Sequence, residues 1–131
     1  MTYTLLVDLD DTLLNTNIES FVPAYFQALS DHMAPYVSAE IMLSALLSAT
    51  RLMMDSDDPS RTLQEVFKDD FYAKIGIPEQ DIGELLDDFY DNVFPKLRVT
   101  TSQHPEAVPL INWAISQGCR VAIATDPLFP R

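Results

Sequence analysis

The chain has 131 residues, 47% of them hydrophobic and 21% charged, and its 20 acidic against 8 basic side chains give a formal net charge of −12. That length allows one domain, or a small core fragment carrying an inserted module, and the apolar fraction is enough to fill it. An acidic balance of this size, with a pI near 4.2, excludes nucleic acid as a partner, because a phosphate backbone selects basic patches.

The first element is short. Leu5-Leu6-Val7, cut off at once by charge, reads as a fully buried strand of a parallel sheet, since such strands are covered on both faces and do not alternate. Asp8 and Asp10 then emerge at its carboxyl end, where the loops of open α/β sheets form the binding crevice. Two carboxylates there repel each other unless a cation or a shared proton relieves them. A magnesium ion fits such a place, because it takes oxygen ligands, often from only one or two carboxylates plus phosphate and water. Helix capping or turn formation is the plainer use of the same residues.

The next segment, Asn17 to about Met33, sets Ile18, Phe21, Val22, Tyr25, Phe26 and Leu29 at helical spacing, and Pro23 fits it only within a first turn or at a kink. From about Ser38, a reasonable N-cap, to Met54 the chain is apolar nearly all round, which predicts the central helix of a bundle or a partner-facing one. Asp58-Pro59 reads as an N-cap and first helical residue, opening a helix to about Lys74 that Gly76 ends. Pro78 begins a fourth helix, with Ile82, Leu85, Leu86, Phe89, Tyr90 and Val93 on one side, which Pro95 stops near Asn92. Pro105 to Gln117, closed by Gly118, predicts a fifth helix, on which Val108, Ile111, Trp113, Ala114 and Ile115 are available for packing. Arg120-Val121-Ala122-Ile123-Ala124-Thr125 is a second buried strand, so the ends of the chain form one right-handed βαβ unit. Residues 15 to 103 hold 15 acidic and 6 basic side chains, so −9 of the −12 lies in the helical insert.

The apolar run followed by Asp8-Leu9-Asp10-Asp11-Thr12-Leu13-Leu14 resembles the first motif of the haloacid dehalogenase superfamily, an apolar run and then D-x-D-x-[TV]-[LV], at every specified position. Arg120 to Thr125 looks like the second motif of that family, a buried strand ending in Thr or Ser. The resemblance implies an α/β fold with a Rossmann-like parallel sheet, of which only the first strands are present. It also implies an inserted α-helical cap of the C1 type. Residues 1–14 and 104–131 would form the partial core, and residues 15–103 the cap.

By the same resemblance, Asp8 is the nucleophile that forms an aspartyl phosphate, and Asp10 is the general acid and then base. Asp8 and the Asp10 carbonyl would ligate Mg²⁺, Thr12 would brace the loop, and Thr125, Asp126 and the backbone at Leu9 would face the phosphoryl oxygens. An aspartate at position 10 favours phosphoryl transfer over dehalogenation, because a leaving halide needs no acid. Asp11 reads as a solvated loop residue or cap. Asp126 either faces the substrate or points away to cap a helix. The implied enzyme is a Mg²⁺-dependent phosphatase of a small phosphorylated metabolite. A phosphomutase or other phosphotransferase, and a catalytically dead binding module, are the alternatives.

The lysine or arginine and the further acidic ligands of the family do not follow Thr125, after which six residues remain. The chain is therefore expected to be the N-terminal part of a longer enzyme, with little turnover alone, and its open sheet edges would invite self-association. Cys119 is the only cysteine and reads as buried and inert. No apolar run approaches a membrane span, and the N-terminus is acidic where a signal peptide is basic, so a cytoplasmic protein without membrane contact is expected. His32 and His104 lack companion ligands and read as surface or loop residues. Met33, Met42, Met53 and Met54 are expected to fill the cap core or line its underside.

Overall fold

The computed structural model describes residues 2–125. In chain order the elements are β1 (Thr4–Val7), β2 (Leu14–Thr16), α1 (Ile18–Met33), α2 (Ala39–Met54), α3 (Leu63–Ile75), α4 (Glu79–Asp88), β3 (Thr101–Gln103), α5 (Ala107–Ser116) and β4 (Arg120–Ile123). β1 and β4 pair in parallel, Thr4 opposite Arg120 through Val7 opposite Ile123, while β2 and β3 pair antiparallel, Leu14 opposite Gln103 and Thr16 opposite Thr101. The result is a mixed α/β chain whose described residues fall into two compact units, 2–22 with 97–125 and 23–96. The expected cap, 15–103, is thus longer at both ends than the helical unit, because β2 and β3 stay with the sheet-bearing residues.

In the sheet-bearing unit, α5 runs between the two parallel strands in sequence and buries Ala107 and Ala114. Gly118 takes a φ of +76° just past its end, a left-handed conformation that a helix C-terminus favours and glycine adopts at no steric cost. β1 is not buried on both faces as expected. Val7 is buried, but Leu6 is 67% exposed, because a sheet of two strands covered by one helix leaves its second face bare. Trp113 is likewise a correction: it is 60% exposed rather than packed. Cys119 is half-buried.

The helical unit shows why each helix starts where it does. The Ser38 hydroxyl accepts the Ile41 N–H at 3.4 Å and caps α2. α3 does not begin at Asp58-Pro59. The Asp58 carboxylate accepts the N–H and hydroxyl of Ser60 at 2.9 and 2.7 Å, which folds a local turn and holds its pKa below the usual carboxylate range, the hydroxyl contributing most. The helix starts after Thr62, where the Thr62 N–H donates to Glu65 Oε2 at 2.7 Å and the Glu65 N–H donates to Thr62 Oγ1 at 3.2 Å, a reciprocal box that satisfies two orphan donors. Gly76, at φ +71°, closes it.

α4 passes into a π-helical turn, Phe89–Val93, and then a 3₁₀ segment, Phe94–Thr100. Pro95 therefore changes the helical winding instead of ending it: as the second residue of the 3₁₀ segment it sits where no N–H is required. Pro23 lies inside α1, at the sixth residue, where its missing N–H leaves the Glu19 carbonyl without an α-helical donor.

α2 is apolar on most sides, yet only Met42, Ala45, Leu46, Ala49 and Met53 are buried, along one stripe. Ile41, Leu43, Leu47, Leu52 and Met54 are exposed, so α2 is one wall of the unit and not its centre. Met33 is buried with Met42 and Met53, while Met54 is 69% exposed. The rest of the interior is aromatic: the rings of Tyr25 and Phe89 meet edge to face at 5.9 Å, and Phe67 stacks on Phe71 at 5.4 Å. His32 is a correction too. It is half-buried, with Nε2 3.0 Å from the Leu85 carbonyl and 3.4 Å from Asp88 Oδ2. No helix of the described residues is long and apolar enough to cross a membrane.

Candidate active site

The parallel register decides which residues share the carboxyl end of the sheet. Beyond Val7 and Ile123 the ladder continues with the Ala124 N–H donating to the Val7 carbonyl at 2.9 Å. Asp8 and Thr125 follow directly on these partners, so two strands separated by more than a hundred residues of sequence deliver their candidate groups to one edge. Asp8, Asp10 and Thr125 are all exposed there. Asp126 lies outside the described residues.

The loop after β1 is wound around one carbonyl. Leu9 accepts the N–H of Leu13 and of Leu14, each at 2.9 Å, which folds residues 9–14 back on themselves. Closing so tight a turn takes a residue in the left-handed region, and Asp11 supplies it at φ +53°; aspartate is among the few non-glycine residues that tolerate this conformation. Asp11 is therefore the turn former of the loop.

Each carboxylate has a threonine beside it. Thr12 Oγ1 donates to Asp8 Oδ2 over a long 3.5 Å. Thr16 Oγ1 donates to Asp10 Oδ1 at 2.8 Å, and Thr101 Oγ1 lies 3.2 Å from Thr16 Oγ1. The Thr101 hydroxyl also donates to the Asn15 carbonyl at 3.2 Å. Thr16 and Thr101 escaped the sequence reading. Their link exists only because β2 and β3 pair; two threonines at the boundaries of the insert were the one available signal. The His104 N–H donates to the Leu13 carbonyl at 2.9 Å, and its Nδ1 accepts the Glu106 N–H at 3.2 Å. His104 thus fastens β3 to the acidic loop and opens α5.

Neither Asp8 nor Asp10 is in an ion pair among the described residues, whose five such pairs all lie in the helical unit. Arg120, on the adjacent strand, is paired with Thr4 at the opposite end of the sheet. The described residues also hold no group of three or more His, Cys, Asp and Glu side chains placed to bind a metal. The available donor set is two hard carboxylates on one loop. Such a set suits an ion that keeps most of its water and takes the rest of its shell from a bound phosphate, as Mg²⁺ does, and does not suit zinc.

No family model, curated protein or solved structure matches this chain.

Proposed function

We propose that the Asp8–Asp10 loop performs phosphoryl transfer from a small phosphomonoester to water by way of a phosphorylated aspartate. The observation that carries this reading is the arrangement of Asp8, Asp10 and Thr125 at one end of a parallel strand pair, with Asp10 oriented by Thr16 at 2.8 Å.

Asp8 supplies the nucleophile. One carboxylate oxygen attacks phosphorus, the bond from phosphorus to the leaving oxygen breaks, and Asp10, protonated, gives its proton to the departing alkoxide. Asp10, now a carboxylate, takes a proton from water, whose oxygen attacks the same phosphorus and returns Asp8 as a free carboxylate with inorganic phosphate. The Thr125 hydroxyl donates to a phosphoryl oxygen as charge grows on it. Mg²⁺, which the Asp8 carboxylate and the Asp10 carbonyl would hold, supplies charge neutralisation that lets an anionic nucleophile approach an anionic phosphate. A cytoplasmic location and a phosphorylated metabolite as substrate belong to the same proposal.

The test is hydrolysis of p-nitrophenyl phosphate by the protein that carries this sequence, with and without Mg²⁺. Turnover is expected with the metal, none after chelation, and a fall of at least about a thousandfold in Asp8→Asn, the scale on which removal of a nucleophile acts. Undiminished turnover in Asp8→Asn overturns the reading.

A further inference from the structure

Gly83 stands in the middle of α4, where alanine would favour the helix by about 1 kcal/mol. Its φ is not positive, and a methyl group built on it meets nothing nearer than Glu79 Cγ, at 3.8 Å, an ordinary contact. Neither backbone strain nor crowding inside the protein calls for glycine at this position. What Gly83 does border is a cavity of about 120 Å³ within the helical unit.

The chemistry of that cavity is uneven. The rings of Tyr25, Phe67, Phe71, Tyr72 and Tyr90 line it, and ring faces attract cations. Of its charged lining residues, Lys68 is held by Glu79, with Nζ 2.5 Å from Oε1, so those two charges cancel. Asp87 also lines it and has no ion-pair partner among the described residues. The described lining residues therefore carry one net negative charge. The Tyr72 hydroxyl reports the same field, being pushed up to about 12 by burial first and then by Glu79, Asp87 and Tyr90. A concave, largely aromatic site with a few convergent polar groups is the usual form of a small-molecule pocket. Here the sign of the field disfavours an anion, and a purely apolar occupant would leave Asp87 unused.

We propose that this cavity binds a small organic cation, an amine or quaternary ammonium with a short hydrocarbon body, whose charge is met by Asp87 and the tyrosine rings and whose alkyl groups lie against Phe67 and Phe71. The hydrocarbon sits in the part of the cavity that Gly83 borders. The proposal does not rest on the phosphoryl-transfer reading.

The experiment is an amide NMR titration of the full chain with choline, with its uncharged isostere 3,3-dimethylbutan-1-ol, and with the anion 3,3-dimethylbutanoate. Choline is expected to give saturable shifts at Gly83 and its neighbours, the alcohol to bind about tenfold more weakly, and the anion more weakly still. Asp87→Asn, at an exposed position, is expected to weaken choline about tenfold, as loss of one charge contact does. Gly83→Leu is expected to abolish saturation with an unfolding midpoint no lower than that of the parent. A response to choline that never saturates, an alcohol or anion that binds as tightly, or an Asp87→Asn variant that binds choline as the parent does each overturns the proposal.

Discussion

Thr16 donates its hydroxyl to Asp10 Oδ1 at 2.8 Å and touches Thr101 Oγ1 at 3.2 Å, so a carboxylate of the N-terminal loop is oriented from a strand pair whose members lie 85 positions apart. In the phosphoryl-transfer reading this makes Thr16 a positioning residue. Thr16→Val is expected to lower kcat for p-nitrophenyl phosphate about tenfold, the worth of one hydrogen bond to a charged group, with KM little changed. Thr16→Ser should restore it. A KM effect with constant kcat, or no rescue by serine, would assign Thr16 a structural part only.

The left-handed backbone at Asp11, φ +53°, makes the loop sensitive to side-chain shape at that position. Asp11→Gly is expected to be neutral or slightly stabilising in the folded state. Asp11→Ile should cost about 1–2 kcal/mol, because a β-branched residue is strained in this region. Urea unfolding midpoints of the two variants measure the difference, and equal midpoints would contradict it.

The box between Thr62 and Glu65 assigns the start of α3. Thr62→Ala is expected to cost about 1 kcal/mol, whereas Asp58→Ala, which removes only a turn before the helix, should cost less. Glu65 is held below the usual carboxylate range by the Thr62 N–H and then its hydroxyl. Its contribution is therefore present above the ordinary glutamate range and is lost as pH falls from there through the lower folded value. Acid titration of helicity in Glu65→Gln should lack that component, and in Thr62→Ala, which keeps the N–H and loses only the hydroxyl, should show part of it.

Burial first, then neighbouring charge, raises the Tyr72 hydroxyl from 10.0 to about 12, and burial raises Tyr25 further still. Both groups prefer to stay protonated in the folded chain. Stability is expected to be level below about pH 10, where unfolded tyrosine also keeps its proton, and to fall as pH rises from there through the folded values, because the unfolded chain then releases protons more readily. Urea midpoints between pH 8 and pH 11.5 should show the decline, roughly, and Tyr72→Phe should make it shallower.

Much of this fold is written locally. The apolar run ending at Val7, the Ser38 cap, and the glycines at 76 and 118 each act through their own few residues, and those elements stand where periodicity and capping place them. The same is true of Asp8 and Asp10, whose exposure at a strand end follows from the run before them. What local rules misjudge depends on partners far away in sequence. Leu6 and Trp113 read as core residues, yet they are exposed because too few neighbouring strands cover them. Asp58-Pro59 competes with Thr62-Leu63-Gln64-Glu65 for the start of α3, and two reciprocal hydrogen bonds outweigh a single Asx turn. The Thr16–Asp10 contact needs β3, and the cavity beside Gly83 needs residues from four helices at once.

The antiparallel pairing of Leu14 with Gln103 and Thr16 with Thr101 brings the chain's departure from the sheet-bearing unit and its return side by side. Everything between is then, for that unit, a closed loop whose entropy depends only weakly on its length. Heredity could lengthen, shorten or replace the helices there without disturbing the winding of residues 9–14 around the Leu9 carbonyl. The acidic loop and the helical insert are thus free to change at different rates, with one pair of short strands as the splice between them.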